Sequence, residues 1–145
     1  MQKVFILLYF SLVLVFISCS IEPSKIAYGQ DACHFCKMTI VEETHAAQIV
    51  TKKGKAFKYD AIECLLNDLE NYEKEDIALY LVTDYLTPQK LIDAKTATFL
   101  ISKSIQSPMG ANLSAFENRN DVEEYAKNEE DKVFDWVDLQ KHFFS

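Results

Sequence analysis

The sequence predicts an α+β protein of two small related ββαβ modules with antiparallel sheets, set behind an export signal and a flexible tether. Short apolar runs split by turn residues between positions 38 and 59 mark the strands. Directly after them, Ile62, Leu65, Leu66 and Leu69 fall at i, i+3, i+4 and i+7, the spacing of one helix face. The same succession returns after residue 95, where Asn120-Asp121-Val122-Glu123 echoes Asp60-Ala61-Ile62-Glu63, so an internal duplication is expected. A length of 145 residues suits one compact domain or two small ones.

The first residues form a leader. Lys3 supplies a positive charge, Val4 to Ile17 is almost unbroken apolar sequence, and Phe16-Ile17-Ser18-Cys19 closes it as a lipobox. The apolar run falls short of the ~20 residues that a membrane-spanning helix needs. Cleavage after residue 18 exposes Cys19 to lipidation, and two or more acyl chains, at ~0.8 kcal/mol per buried CH₂, hold a protein stably on a membrane surface. The expected organisation is therefore a signal peptide over 1–18, lipidated Cys19 and a flexible tether over 19–31, and a domain over 32–145 with modules at about 32–86 and 95–145. Pro23, Ser24 and Gly29 suit the tether.

Met38-Thr39-Ile40-Val41 and Ala46–Thr51 are expected strands, with Lys52-Lys53-Gly54-Lys55 turning into a third at Ala56–Tyr59. Asp60 and Glu63 make a capping-box-like pair for the first helix. Ala78–Thr83 reads as a buried strand ended by Thr87-Pro88. The second half supplies strands at Ala97–Ile101 and Asn112–Phe116, a helix from Asn120, and a closing strand at Val133-Phe134. Asp135 caps a last helix with Trp136, Val137, Leu139, Phe143 and Phe144 on its apolar face.

A formal net charge of −7, made more negative by loss of Lys3 with the leader, argues against nucleic acid as a partner, since no basic run is present to neutralise phosphates. With Cys19 lipidated, Cys33, Cys36 and Cys64 remain: an odd number in an exported protein, which speaks for reactive or metal-binding thiols over a disulfide scaffold.

Cys33-His34-Phe35-Cys36-Lys37-Met38 gathers thiol and thioether sulfur on one short stretch. Soft donors of this kind select Cu(I) over hard cations, and the thioether favours it over Zn(II). In an extended segment Cys36 and Met38 share a face, and a turn brings Cys33 beside them. Met109, before Gly110, would close the site from the second half. The plainer readings are a redox pair or half a zinc site for Cys33 and Cys36, core filling for Met38, and loop packing for Met109. His34 is a possible further ligand whose plainer reading is an exposed residue, and His45 and His142 read as surface residues. The helical wheel sets Cys64 opposite the Ile62/Leu66/Leu69 stripe, making it neither evident core nor an evident ligand.

The leader with its lipobox cysteine, Cys33-x-x-Cys36-x-Met38 running into a strand, the Phe57–Asp60 lead into a helix, and Ser107-Pro108-Met109-Gly110-Ala111-Asn112-Leu113-Ser114-Ala115-Phe116 together resemble the NosL family of nitrous oxide reductase accessory proteins. The likeness covers residues 33 to about 139. It implies an extracytoplasmic, membrane-anchored lipoprotein without catalysis of its own. Such a protein carries Cu(I) for the copper sites of nitrous oxide reductase and works with the assembly machinery and a membrane transporter complex. By motif, Cys36 and Met38 would be ligands, with Cys33 and Met109 beside them; Lys37 stands where many relatives have Gly.

The competing function class is a thiol-disulfide oxidoreductase using Cys33 and Cys36. In that pattern the pair follows a strand and opens a helix, whereas here a tether precedes it and extended sequence follows. A zinc ribbon lacks its second cysteine pair.

Overall fold

The structure is a computed structural model that describes residues 20–145, so the signal peptide over 1–18 and the lipidation site Cys19 lie outside the described residues. In chain order the elements are β1 (Ala47–Thr51), β2 (Ala56–Tyr59), α1 (Ile62–Asp68), β3 (Ile77–Thr83), β4 (Leu91–Asp93), β5 (Thr98–Ile101), β6 (Leu113–Phe116), α2 (Arg119–Tyr125), β7 (Lys132–Phe134) and α3 (Trp136–Phe144). Two short 3₁₀ turns at Leu69–Asn71 and Lys74–Asp76 lead from α1 into β3.

The strands form two antiparallel sheets, ordered β2-β1-β3-β4 and β6-β5-β7. Each half is thus a ββαβ unit whose first strand lies between its second and its last, and β4 is an extra edge on the first sheet. Register relates the halves residue by residue. Tyr59 ends β2 opposite Ala47, Phe116 ends β6 opposite Thr98, and Ala61 and Asn118 both stand just before a helix. Asp60 therefore corresponds to Glu117, and the expected match of Asp60 with Asn120 is out of register.

Elementary constraints explain most elements. β1 and β2 are joined by a tight turn in which Thr51 N–H donates to Lys55 O at 2.9 Å and Gly54 takes the positive φ of 78° that a residue without Cβ adopts freely. Both halves feed one main core. Ile49, Tyr59, Ile62, Leu65 and Leu66 from the first join Phe99, Leu113, Trp136 and Leu139 from the second. Each such side chain contributes about 1.5–3 kcal/mol when fully buried. Trp136 stands 5.7 Å from Tyr80 and 5.8 Å from Phe99 between ring centroids, so α3 seals the two sheets together. As expected, Asp135 caps that helix, its Oδ1 accepting from Asp138 N–H at 2.8 Å.

Several expectations are corrected. Residues 24–31, assigned to a flexible tether, are docked: Ser24 exchanges two 2.7 Å hydrogen bonds with the buried Gln48 amide, Ile26 is buried, and Asp31 receives both Ala27 N–H and the Lys58 ammonium. The domain thus begins ahead of Ala32. Met38–Val41 is not a regular strand; Thr39 makes a single bridge to Ala32 because the segment folds back on residues 29–32 instead of joining β1. Asp60 does not cap α1. Ala61 holds that position without a side-chain cap, and Asp60 and Glu63 both turn into the protein. The second helix begins at Arg119, with Asn118 before it. His45, expected on the surface, is buried between the halves, its Nε2 3.1 Å from Ser114 Oγ. The three-residue β4 was too short to show a pattern in sequence.

Candidate metal centre

Residues 33–38 close a tight loop: Cys33 N–H donates to Met38 O at 2.7 Å and Lys37 N–H to Cys33 O at 3.0 Å. Lys37 sits at φ 65°, the left-handed region that glycine occupies without cost and a side chain does not. The loop is fastened to the outer strand of the first sheet by His34 N–H on Lys58 O, 2.7 Å. Because β2 runs directly into α1, the same attachment brings the loop over the start of that helix.

Cys64 then meets the loop. The sulfurs of Cys33, Cys36 and Cys64 all lie within 4.8 Å of one another, with Cys33 and Cys64 buried and Cys36 half-buried. The wheel argument that set Cys64 apart fails because α1 has no free face. Of its seven residues only Asn67 is exposed, and the side away from the Ile62/Leu66 stripe is covered as well. Among the described residues this is the one group of three His, Cys, Asp or Glu side chains gathered closely enough to hold a metal ion.

The thiols are electrostatically unequal. Cys33 is lowered to about 5, first because Cys64 donates a hydrogen bond to its sulfur and then because the Asp60 and Cys36 N–H groups point at it; burial opposes them. Cys64 is pushed up as the donor in that bond and by burial, and Cys36 is raised chiefly by burial. The cluster therefore presents one thiolate and two thiols before any metal arrives, and binding an ion releases protons from the other two.

The remaining sequence candidates are Met38, Met109 and His34. Met38 is 62% exposed at the end of the loop. Met109 is 40% exposed in the β5–β6 connection, which Gly110 turns at φ 81° and which Ser107 ties to α1 by donating to Glu63 Oε1. His34 has its ring 4.4 Å from Phe57 and its Nε2 3.9 Å from Asp68 Oδ2. The residue that sequence reasoning set aside is Cys64. Its signal was present in the odd cysteine count, which left one thiol for Cys33 and Cys36 to share.

The arrangement can hold a soft ion through sulfur alone. It does not have the form of a helix-opening redox pair, since Cys36 is followed by a left-handed turn and a bridge. Fold and site together define a duplicated α+β protein built around a three-thiol cluster beneath a sulfur-bearing loop. The NosL family model matches residues 25–144, and the chain belongs to the NosL family. No curated protein sequence matches it. Among solved structures, the copper chaperone NosL from Shewanella denitrificans is similar in fold, with a TM-score of 0.70 and 21% identity over 81% of this chain and 95% of that one.

Proposed function

We propose that this protein is a membrane-anchored Cu(I) metallochaperone that supplies copper for the copper centres of nitrous oxide reductase. The observation that carries the proposal is the convergence of three cysteine sulfurs within 4.8 Å on a fold shared with a copper chaperone. Cu(I) is its cargo and sulfur its grip. Cys36 and Met38 are ligands, Cys33 stands beside them, and Met109 approaches from the second half. The chain carries an ion and has no turnover of its own.

Lipidation of Cys19 holds the protein on the outer face of a membrane, where a carrier raises the local copper concentration near export and assembly machinery. No helix among the described residues is long and apolar enough to cross a membrane, in keeping with attachment by lipid. Its partners are then the nitrous oxide reductase assembly machinery and a membrane transporter complex; the acidic surface gives nucleic acid no foothold.

Competition of the reduced protein with a colorimetric Cu(I) chelator, with Zn(II) alongside, tests the reading. One tightly held Cu(I) per chain and weaker Zn(II) are expected, and equal or tighter zinc binding at the same cysteines would reject it. A host lacking the protein should make folded nitrous oxide reductase deficient in copper. Cys19→Ser should release the protein from membranes with its copper affinity intact.

A further inference from the structure

We infer that the sulfurs form two stations for one Cu(I) ion: a buried station of Cys33, Cys36 and Cys64, and an exit station of Cys36 and Met38 at the surface. The inference rests on the copper reading above and deepens it. Four sulfurs lie along a gradient of exposure, from Cys64 at 0% and Cys33 at 1%, through half-buried Cys36, to Met38 at 62%. Cys36 belongs to both ends of that gradient, as a member of the buried trio and as the residue one position from Met38's neighbour Lys37.

The two stations answer opposite requirements. Three thiol sulfurs, two of them buried, suit retention of a soft ion, because competing donors from solvent cannot reach it. Delivery needs the reverse, a position where an acceptor's donor atom can approach the metal. Met38 provides it. Its thioether is neutral and a weaker donor than thiolate, so an incoming sulfur or imidazole displaces it readily. Phe35 at 40% exposure and Val41 at 64% lie on the same segment and offer apolar surface that a docked acceptor would cover.

Transfer between the stations is ligand exchange with no redox change. The Cu–S bonds to Cys33 and Cys64 break, a Cu–S bond to Met38 forms, and Cys36 stays bound throughout. Copper remains monovalent, any proton the freed thiolates regain comes from solvent, and the acceptor's donor then completes the shell.

The test combines copper X-ray absorption on the Cu(I)-loaded full-length protein with the rate of Cu(I) transfer to a bathocuproine-type chelator. Wild type should show three sulfur neighbours. Cys64→Ala should show two, bind Cu(I) about 10- to 100-fold more weakly and release it faster. Cys64→Ser, closer in size, checks that the loss follows the sulfur and not the packing. Met38→Leu, of similar volume and largely exposed, should keep three sulfur neighbours but transfer copper about fivefold more slowly or worse. Unchanged sulfur number and affinity in both Cys64 variants would reject the buried station, and an unchanged transfer rate in Met38→Leu would reject the exit. Failure of the wild type to bind Cu(I) would instead reject the carrier function itself.

Discussion

Ser107 Oγ donates a hydrogen bond to Glu63 Oε1 across the boundary between the two halves, and the same oxygen accepts Asn112 N–H at 2.9 Å. One serine thus fastens the loop that carries Met109 to the helix that carries Cys64. Burial raises the Glu63 carboxyl, the Ser107 bond is the largest effect opposing that shift, with the Glu63, Leu113 and Ala111 N–H groups behind it, and the Glu63 Oε2 has no side-chain partner.

Glu63→Ala should therefore cost about 1–3 kcal/mol, the penalty for stranding buried polar groups. Glu63→Gln, which keeps an acceptor oxygen in place, should cost clearly less. Urea unfolding measures both. Ser107→Ala should in addition speed hydrogen exchange at the Asn112 amide, and unchanged exchange there would show that the loop is held by other contacts.

Lys37 adopts φ 65° to close the 33–38 loop. A side chain in this region costs roughly 1–2 kcal/mol, whereas glycine avoids that cost and gives back part of the gain through a freer unfolded chain, about 0.5–1 kcal/mol. Lys37→Gly should then raise the stability of the metal-free protein modestly, by up to ~1 kcal/mol, and leave copper affinity unaltered. A lower denaturation midpoint would show that the Lys37 ammonium's bond to His34 O outweighs the strain.

Patterns of local period were legible and long-range packing was not. Ala56–Tyr59 emerged as β2 with the expected ends, and Ile62, Leu65 and Leu66 are core as their spacing required. The capping box failed because its chemistry presumes solvent at the start of the helix. Here the second half and the 33–38 loop cover that end, so Asp60 and Glu63 turn inward. Cys64 was misplaced for the same reason: a wheel assigns one buried face, and α1 is buried nearly all round. The docking of residues 24–31 on Gln48 and Lys58 depends on partners far along the chain, which the Pro, Ser and Gly content could not reveal.

Asp60 provides a pH prediction. Its carboxyl is raised by burial, a Val41 N–H opposes the shift, and its Oδ1 has no partner. Ionisation is then less favourable in the folded chain than in the unfolded one. Below the unfolded carboxyl value both states are protonated and nothing is lost; as pH rises through that value and the higher folded one, stability falls. Asp60→Asn should be the more stable protein at neutral pH, with the difference closing at acid pH. Chemical denaturation across that range measures it, and a pH-independent difference would mean the effect is one of packing.

The last prediction concerns the link between Cys64 and Cys33. Donation from the Cys64 thiol is the largest cause of the Cys33 thiol's descent to about 5, ahead of the Asp60 and Cys36 N–H groups. A thiol lowered in the folded state adds stability that is complete above its ordinary range and is lost as pH falls through about 5. The metal-free wild type should show a step in thiolate ultraviolet absorbance near that pH, together with weakening against denaturant on the acid side. Cys64→Ala removes the donor, so the step should move toward the ordinary thiol range and the acid weakening should shrink. An unmoved acid step in the variant would assign the thiolate to the two backbone N–H groups and leave Cys64 without a part in preparing the site.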